Sequence, residues 1–161
     1  MQNEPMNRDK FMQMAIDLAA SNLLTGKGGP FGAVIVKNGE VVGKGSNEVT
    51  STNDPTAHAE VVAIRDACKN LNSYQLEDCE VYASCEPCPM CLGAIYWSRV
   101  KKLYFAATRE DAANAGFDDS YIYNQVPLKP EKRDIGSVQL MRPQAVKVFE
   151  QWIESEQKIP Y

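Results

Sequence analysis

The chain has 161 residues, a length that suits one domain and can bury a core without disulfides. Apolar residues make up 44% and charged residues 24%, ordinary globular proportions that leave no room for disorder or low complexity. The net charge of −4 speaks against a nucleic-acid partner, which usually calls for a basic stripe; the densest basic cluster here is only Arg99, Lys101 and Lys102.

Residues 1–8 contain no apolar leader region, and no apolar run approaches the ~20 residues that span a bilayer. The expectation is a cytoplasmic protein with no membrane partner. Its five cysteines are then thiols or metal ligands rather than disulfides.

In chain order, the apolar spacing of Phe11, Ala15, Leu18 and Ala19 predicts a helix over 7–24, ended by Gly26, Gly28, Gly29 and Pro30. Ala33 to Val36, then Asn38-Gly39, then Val41-Val42, predicts a hairpin with a tight turn. Asp54-Pro55 predicts the start of a helix that runs to about Leu71, with Val61, Ile64 and Cys68 facing the core. Val81–Ala83 and Leu103–Ala106 read as strands. Between them Pro89 opens a helix carrying Leu92, Ile95 and Tyr96. Residues 112–123 read as loop and helix, Val138–Met141 as an edge strand, and Pro143 as the start of a last helix through Phe149, Trp152 and Ile153. The alternation predicts an α/β fold, a three-layer α/β/α sandwich in a single domain over 1–161.

The chemistry concentrates in two short stretches. His58, the only histidine, lies in His58-Ala59-Glu60, and Pro87-Cys88-Pro89-Met90-Cys91 follows. Together they match H-x-E…P-C-x-x-C, the signature of zinc-dependent nucleobase deaminases. Zinc prefers tetrahedral sulfur and nitrogen donors. Cys88 and Cys91 are three apart, so one helical turn turns both thiols the same way, and a helix start favours the thiolate. His58 supplies a third ligand, and a three-ligand site keeps a fourth position for water. A closed Cys3His site that includes Cys85 is the structural alternative. Glu60 is the candidate proton shuttle, taking a proton from water and passing it to a ring nitrogen and then to the departing ammonia. On a helix Glu60 and His58 diverge, which places the metal beyond the helix end. Cys68 and Cys79 read as buried apolar residues.

The surrounding stretches Gly29–Ala33, Asn53–Glu60 and Cys88–Ile95 resemble the cytidine-deaminase-like superfamily, over roughly residues 28–106. The resemblance implies a mixed five-stranded sheet flanked by helices. Two branches share these motifs, tRNA adenosine deaminases and small bacterial guanine deaminases. Ala112–Tyr123, Ala94–Trp97 and the final Pro160-Tyr161 resemble the guanine branch and extend the likeness over nearly the whole chain.

That branch implies one Zn2+ per subunit, a small purine base as partner, and conversion of guanine to xanthine and ammonia. It also implies a homodimer in which the C-terminal segment, about 143–161, can be exchanged between subunits. Asp119 is then a catalytic carboxylate accepting from the guanine N1–H or 2-amino group; otherwise it is a helix cap or turn residue. Ala59 and Tyr161 join the substrate site by the same resemblance, Tyr161 otherwise being an exposed terminus. Asn47 is a candidate hydrogen-bond partner of the base, or a turn residue with positive φ. Phe31 and Trp97 are candidates to sandwich the ring, or simply core. The competing functions are a tRNA adenosine deaminase, a cytosine deaminase, and a non-catalytic zinc-binding interaction module.

Overall fold

The computed structural model describes residues 8–161; the reading of residues 1–7, and the first residue of the helix expected at 7, lie outside them. The chain divides into two compact units, residues 1–119 and 120–161.

The first unit is built on a mixed four-stranded sheet of order β2-β1-β3-β4, comprising β1 (Gly32–Lys37), β2 (Glu40–Ser46), β3 (Cys79–Cys85) and β4 (Lys102–Ala107). β1 pairs antiparallel with β2 and with β3, while β3 and β4 run parallel. The hairpin forms where Asn38 and Gly39 both take positive φ, 52° and 82°, the conformation a two-residue turn between twisted strands requires.

Helices cover both faces. On one, α1 (Arg8–Thr25) lays Phe11 and Ala15 against Val34, Val36 and Tyr82. On the other, α3 (Ala59–Leu71) buries Ala59, Ala63 and Ala67 against Ala33, Ile35 and Val81, joined by Ile95 of α4 (Pro89–Trp97). β3 is central and buried along its whole length, as a strand covered on both faces must be.

Four expectations need correction. The sheet has four strands, not five, and Val138–Met141 forms no strand, Val138 and Leu140 being 81% and 78% exposed. The helix expected from Asp54-Pro55 begins at Ala59. Asp54 instead closes a local turn, its Oδ1 accepting from the Thr56 N–H at 2.8 Å and the Thr56 hydroxyl at 2.6 Å. A short helix, α2 (Val49–Thr52), precedes that turn. Finally, Ile64 and Cys68 do pack against the core, partly buried, but Val61 does not, and the fully buried stripe of α3 is alanine. Close approach explains this. A Cβ on Gly45 of β2 would lie 2.3 Å from the Ala59 carbonyl, so the two backbones nearly touch and only alanine fits between.

The rest of the first unit is α5 (Arg109–Asn114), entered through a capping box between Thr108 and Asp111, and the loop to Asp119. The second unit holds α6 (Ser120–Gln125), a 3-10 turn over Pro130–Lys132, and α7 (Arg142–Glu154), with Pro143 in its first turn as expected. No described helix is long and apolar enough to cross a membrane.

Candidate metal centre and substrate site

His58 and Cys88 are both helix N-caps in extended conformation, φ/ψ −67°/154° ahead of α3 and −66°/169° ahead of α4. An N-cap side chain projects past the helix end, so the two helix starts deliver their side chains into one space. His58 Nδ1 lies 3.5 Å from the Sγ of Cys88 and 3.5 Å from the Sγ of Cys91. Around tetrahedral zinc, bonds of about 2.3 Å to sulfur and 2.0–2.1 Å to nitrogen put those atoms about 3.5–3.6 Å apart. The donor set therefore fits the ion without rearrangement.

Cys85 does not join them. It ends β3 with its Sγ directed at the Thr108 carbonyl, 3.6 Å away, and burial pushes its thiol up to about 11. The grouping of potential ligands among the described residues is His58, Cys88 and Cys91, three donors, as an open catalytic zinc requires. The closed four-ligand alternative loses its fourth ligand.

The electrostatics suit a metal. The S–H of Cys91 and the His58 ring draw the Cys88 thiol down to about 4, despite burial. That same hydrogen bond to Cys88, with burial, holds the Cys91 proton on well above its ordinary value. The His58 ring is raised, chiefly by its bond to Cys88. Glu60, 7% exposed, sits against this group: its carboxylate meets the Cys91 thiol and its own backbone N–H. Burial outweighs both and raises its pKa.

Several of the expected substrate residues lie on segments bonded to one another and to the turn ahead of His58. Backbone bonds run from Asn47 N to the Phe31 carbonyl at 3.1 Å and from Glu48 N to the Ala57 carbonyl at 2.9 Å, tying both segments to the approach to His58. Asn47 is buried and does not take positive φ. Its Oδ1 accepts from Gly29 N and Val49 N, each at 3.2 Å, which fixes the amide and leaves Nδ2 as the donor it can offer. Ala59 is fully buried in the first turn of α3, where the helix leaves N–H groups without intrahelical partners. The Phe31 ring meets Phe117 edge-on at 4.9 Å. Two residues beyond, Asp119 is half-buried and paired with Arg109 at 3.4 Å.

Trp97 is not brought to the centre within one chain. It closes the far end of α4, about 13 Å along the axis from Cys88, 63% exposed and beneath the Arg99 guanidinium. Tyr161 ends the second unit, 71% exposed. Phe117 and Arg109 are not singled out by the sequence; the capping box of Thr108 and Asp111 is its sign that an ordered turn follows β4.

The pattern of the cytidine and deoxycytidylate deaminase zinc-binding region matches residues 5–107. A guanine deaminase of Bacillus subtilis is 52% identical over 97% of this chain and 100% of its own length. An X-ray structure of guanine deaminase from Bacillus subtilis superposes with a TM-score of 0.93 at 52% identity, covering 96% of this chain and 99% of that one. A tRNA-specific adenosine deaminase of Aquifex aeolicus is 44% identical over 63% of this chain and 67% of its own length. The ligand geometry, the family pattern and identity along nearly the whole chain agree: the chain belongs to the cytidine-deaminase-like superfamily of zinc hydrolases.

Proposed function

We propose that this protein deaminates guanine hydrolytically, with one zinc per subunit, giving xanthine and ammonia. The observation that carries this reading is the convergence of His58, Cys88 and Cys91 on one tetrahedral position with the buried Glu60 carboxyl against it. When bound, zinc supplies a Lewis acid with one open position, at which water loses a proton far more readily than in bulk.

Glu60 moves that proton. Its raised pKa lets the carboxyl hold a proton taken from water, deliver it to N3, then take the proton of the hydroxyl bonded to C2 and give it to the departing amine. The water oxygen forms its bond to C2, the C2–N bond breaks, and ammonia leaves. Phe31 stacks on the ring, Asn47 Nδ2 donates to an acceptor on the base, and the first-turn N–H at Ala59 supplies another donor. Asp119 accepts from the guanine N1–H. Adenine presents a lone pair at that position, so the same carboxylate repels it, and a site built to accept a hydrogen bond discriminates strongly against such an analogue. The loop that carries Phe117 and Asp119 also lies beyond residues 5–107, outside the family's shared zinc-binding region.

Residues 1–161 act as one catalytic domain, and the protein works as a homodimer. In support, α7 carries Val148, Phe149 and Ile153 at 63%, 69% and 66% exposure, a face that a second copy of the chain would cover. Exchange of about residues 143–161 would bring Tyr161 to the partner's base-binding site. Deleting residues 158–161 then impairs turnover; unchanged kinetics would remove Tyr161 from the site. The free thiols fit the reducing cytoplasm.

The test is ammonia release by purified, zinc-loaded protein from guanine, adenine, cytosine and a tRNA anticodon stem-loop. Release from guanine alone is expected. Release from the RNA alone would move the protein to the tRNA branch with the same zinc chemistry. Tightly held zinc with no release from any substrate would leave only the interaction module.

A further inference from the structure

The segment after β4 carries a connection that the zinc chemistry does not call for. The metal-binding loop between β3 and α4 is stitched to the start of α5 at three points. Glu86 N donates to the Ala107 carbonyl at 2.8 Å, Arg109 N donates to Glu86 Oε2 at 3.1 Å, and the Cys85 thiol faces the Thr108 carbonyl. From that anchored position the Arg109 side chain reaches forward ten residues, its Nε donating to Asp119 Oδ1 at 3.4 Å. The intervening turn passes through Gly116, at a φ of 94°, and is pinned by the Phe117 ring against Phe31.

We infer that Arg109 is the positioning residue for Asp119, fixing the orientation of that carboxylate relative to the metal centre through Glu86. The inference rests on the reading that Asp119 receives the base. Glu86, two residues ahead of the ligand Cys88, holds the backbone of Arg109; Arg109 occupies Oδ1; the carboxylate is then turned so that Oδ2 accepts from the guanine edge. Loop residues that bind substrate need such support, because a loop left to itself samples orientations in which the acceptor misses its donor. Arginine suits the task, since its guanidinium stays charged and donates through Nε to one carboxylate oxygen, which leaves the other oxygen for the base.

A double-mutant cycle on guanine turnover tests this, using Arg109→Ala, Asp119→Asn and the pair, with zinc content and circular dichroism recorded for each. The expected result is a loss of roughly 10–100-fold in kcat/KM for Arg109→Ala, the scale typical of groups that orient others in a site, with one zinc per chain retained. In the Asp119→Asn background the same change should cost almost nothing, because the group it positions is gone. Free guanidinium in the assay should restore part of the activity of Arg109→Ala and none of that of the double variant. Equal losses in both backgrounds would overturn the inference and give Arg109 a merely structural role. So would unaltered kinetics in Arg109→Ala alongside a severe loss in Asp119→Asn, which would leave the Asp119 reading standing. If Asp119→Asn itself turns over guanine normally, or the wild-type protein does not act on guanine, that underlying reading falls and the inference with it. Should Arg109→Ala fail to fold, Arg109→Lys in the same cycle reads the same coupling.

Discussion

Replacing Glu60 with glutamine separates the two consequences of burying a carboxyl at this site. The amide has the same shape but cannot carry protons. A positioned acid–base group contributes ~10²–10⁴ in rate, about 2.7–5.4 kcal/mol of barrier at 1.36 kcal/mol per decade. Turnover should fall by that factor while the zinc content stays at one per chain, since Glu60 is not a ligand. Stability should respond in the opposite direction. The folded pKa of Glu60 is raised above its ordinary value of 4.5, burial being the largest cause, so the fold binds this proton more tightly than the unfolded chain does. Its contribution to stability is therefore complete below the ordinary value and is lost as pH rises through the raised one. Glutamine carries no such dependence. Melting temperatures of the two metal-free proteins, measured from pH 4 to 8, should diverge as pH rises, with the variant gaining on the wild type. A variant that turns over guanine within threefold of wild type would refute the proton-shuttle role. A difference curve flat with pH would refute the argument from burial.

Three further outcomes follow from the geometry. Cys85→Ser should retain zinc, whereas Cys88→Ser should lose most of it, as metal analysis after dialysis would show; the reverse pattern would restore the closed site. Zinc binding at pH 7 should release ~1–2 protons, because Cys88, near 4, is already a thiolate, Cys91 still holds its proton and His58 holds part of one. Affinity therefore rises with pH; calorimetry in two buffers of different ionisation enthalpy counts the protons, and a count near zero contradicts the scheme. Gly45→Ala should lower the melting temperature, because its Cβ would sit 2.3 Å from the Ala59 carbonyl and force α3 off the sheet. Overpacking of this kind costs ~1–3 kcal/mol, or about 2–12 °C for a chain of this size, and an unchanged melting temperature would show that the contact relaxes freely.

The parts of the fold legible in the sequence are those fixed locally. Asn38-Gly39 dictates its own turn, and the Cys88–Cys91 spacing is a property of one helical turn whatever surrounds it. What was not legible depends on distant partners. Nothing near Ala59, Ala63 or Ala67 announces that they are the buried stripe; Gly43 and Gly45, on another element, decide that by letting the backbones meet. Val138–Met141 has the residues of an edge strand, yet a strand exists only where a neighbour offers hydrogen bonds. Trp97 sits in a helix with Cys91, but the length of that helix separates an aromatic at one end from a metal ligand at the other. The reading of Asp119 rests on resemblance alone, and its ion pair with Arg109 is visible only in the fold.

The misplaced start of α3 has a cause that bears on the metal. Asp54 has the composition of a good N-cap, yet the residue that caps α3 is His58, which makes no side-chain cap bond. Cys88 caps α4 with sulfur accepting from Cys91 N at 3.5 Å, a longer bond than an oxygen cap makes. Giving up a Ser, Thr, Asp or Asn at an N-cap costs ~1 kcal/mol, and here it is given up twice, at adjoining helix ends whose partial positive charges also face each other. Two thiolates and a dication sum to zero charge. Zinc held there by His58, Cys88 and Cys91 would thus add no net cation to the space between those helix ends, and it would fix both caps from outside the helices. Chain entry into α3 and α4 would then be set by ligand chemistry as well as by helix propensity. Removing the zinc should then loosen the first turns of these two helices ahead of the sheet, visible as early amide exchange at residues 59–62 and 90–92. Uniform loss of protection across the domain would show instead that the caps hold without the metal.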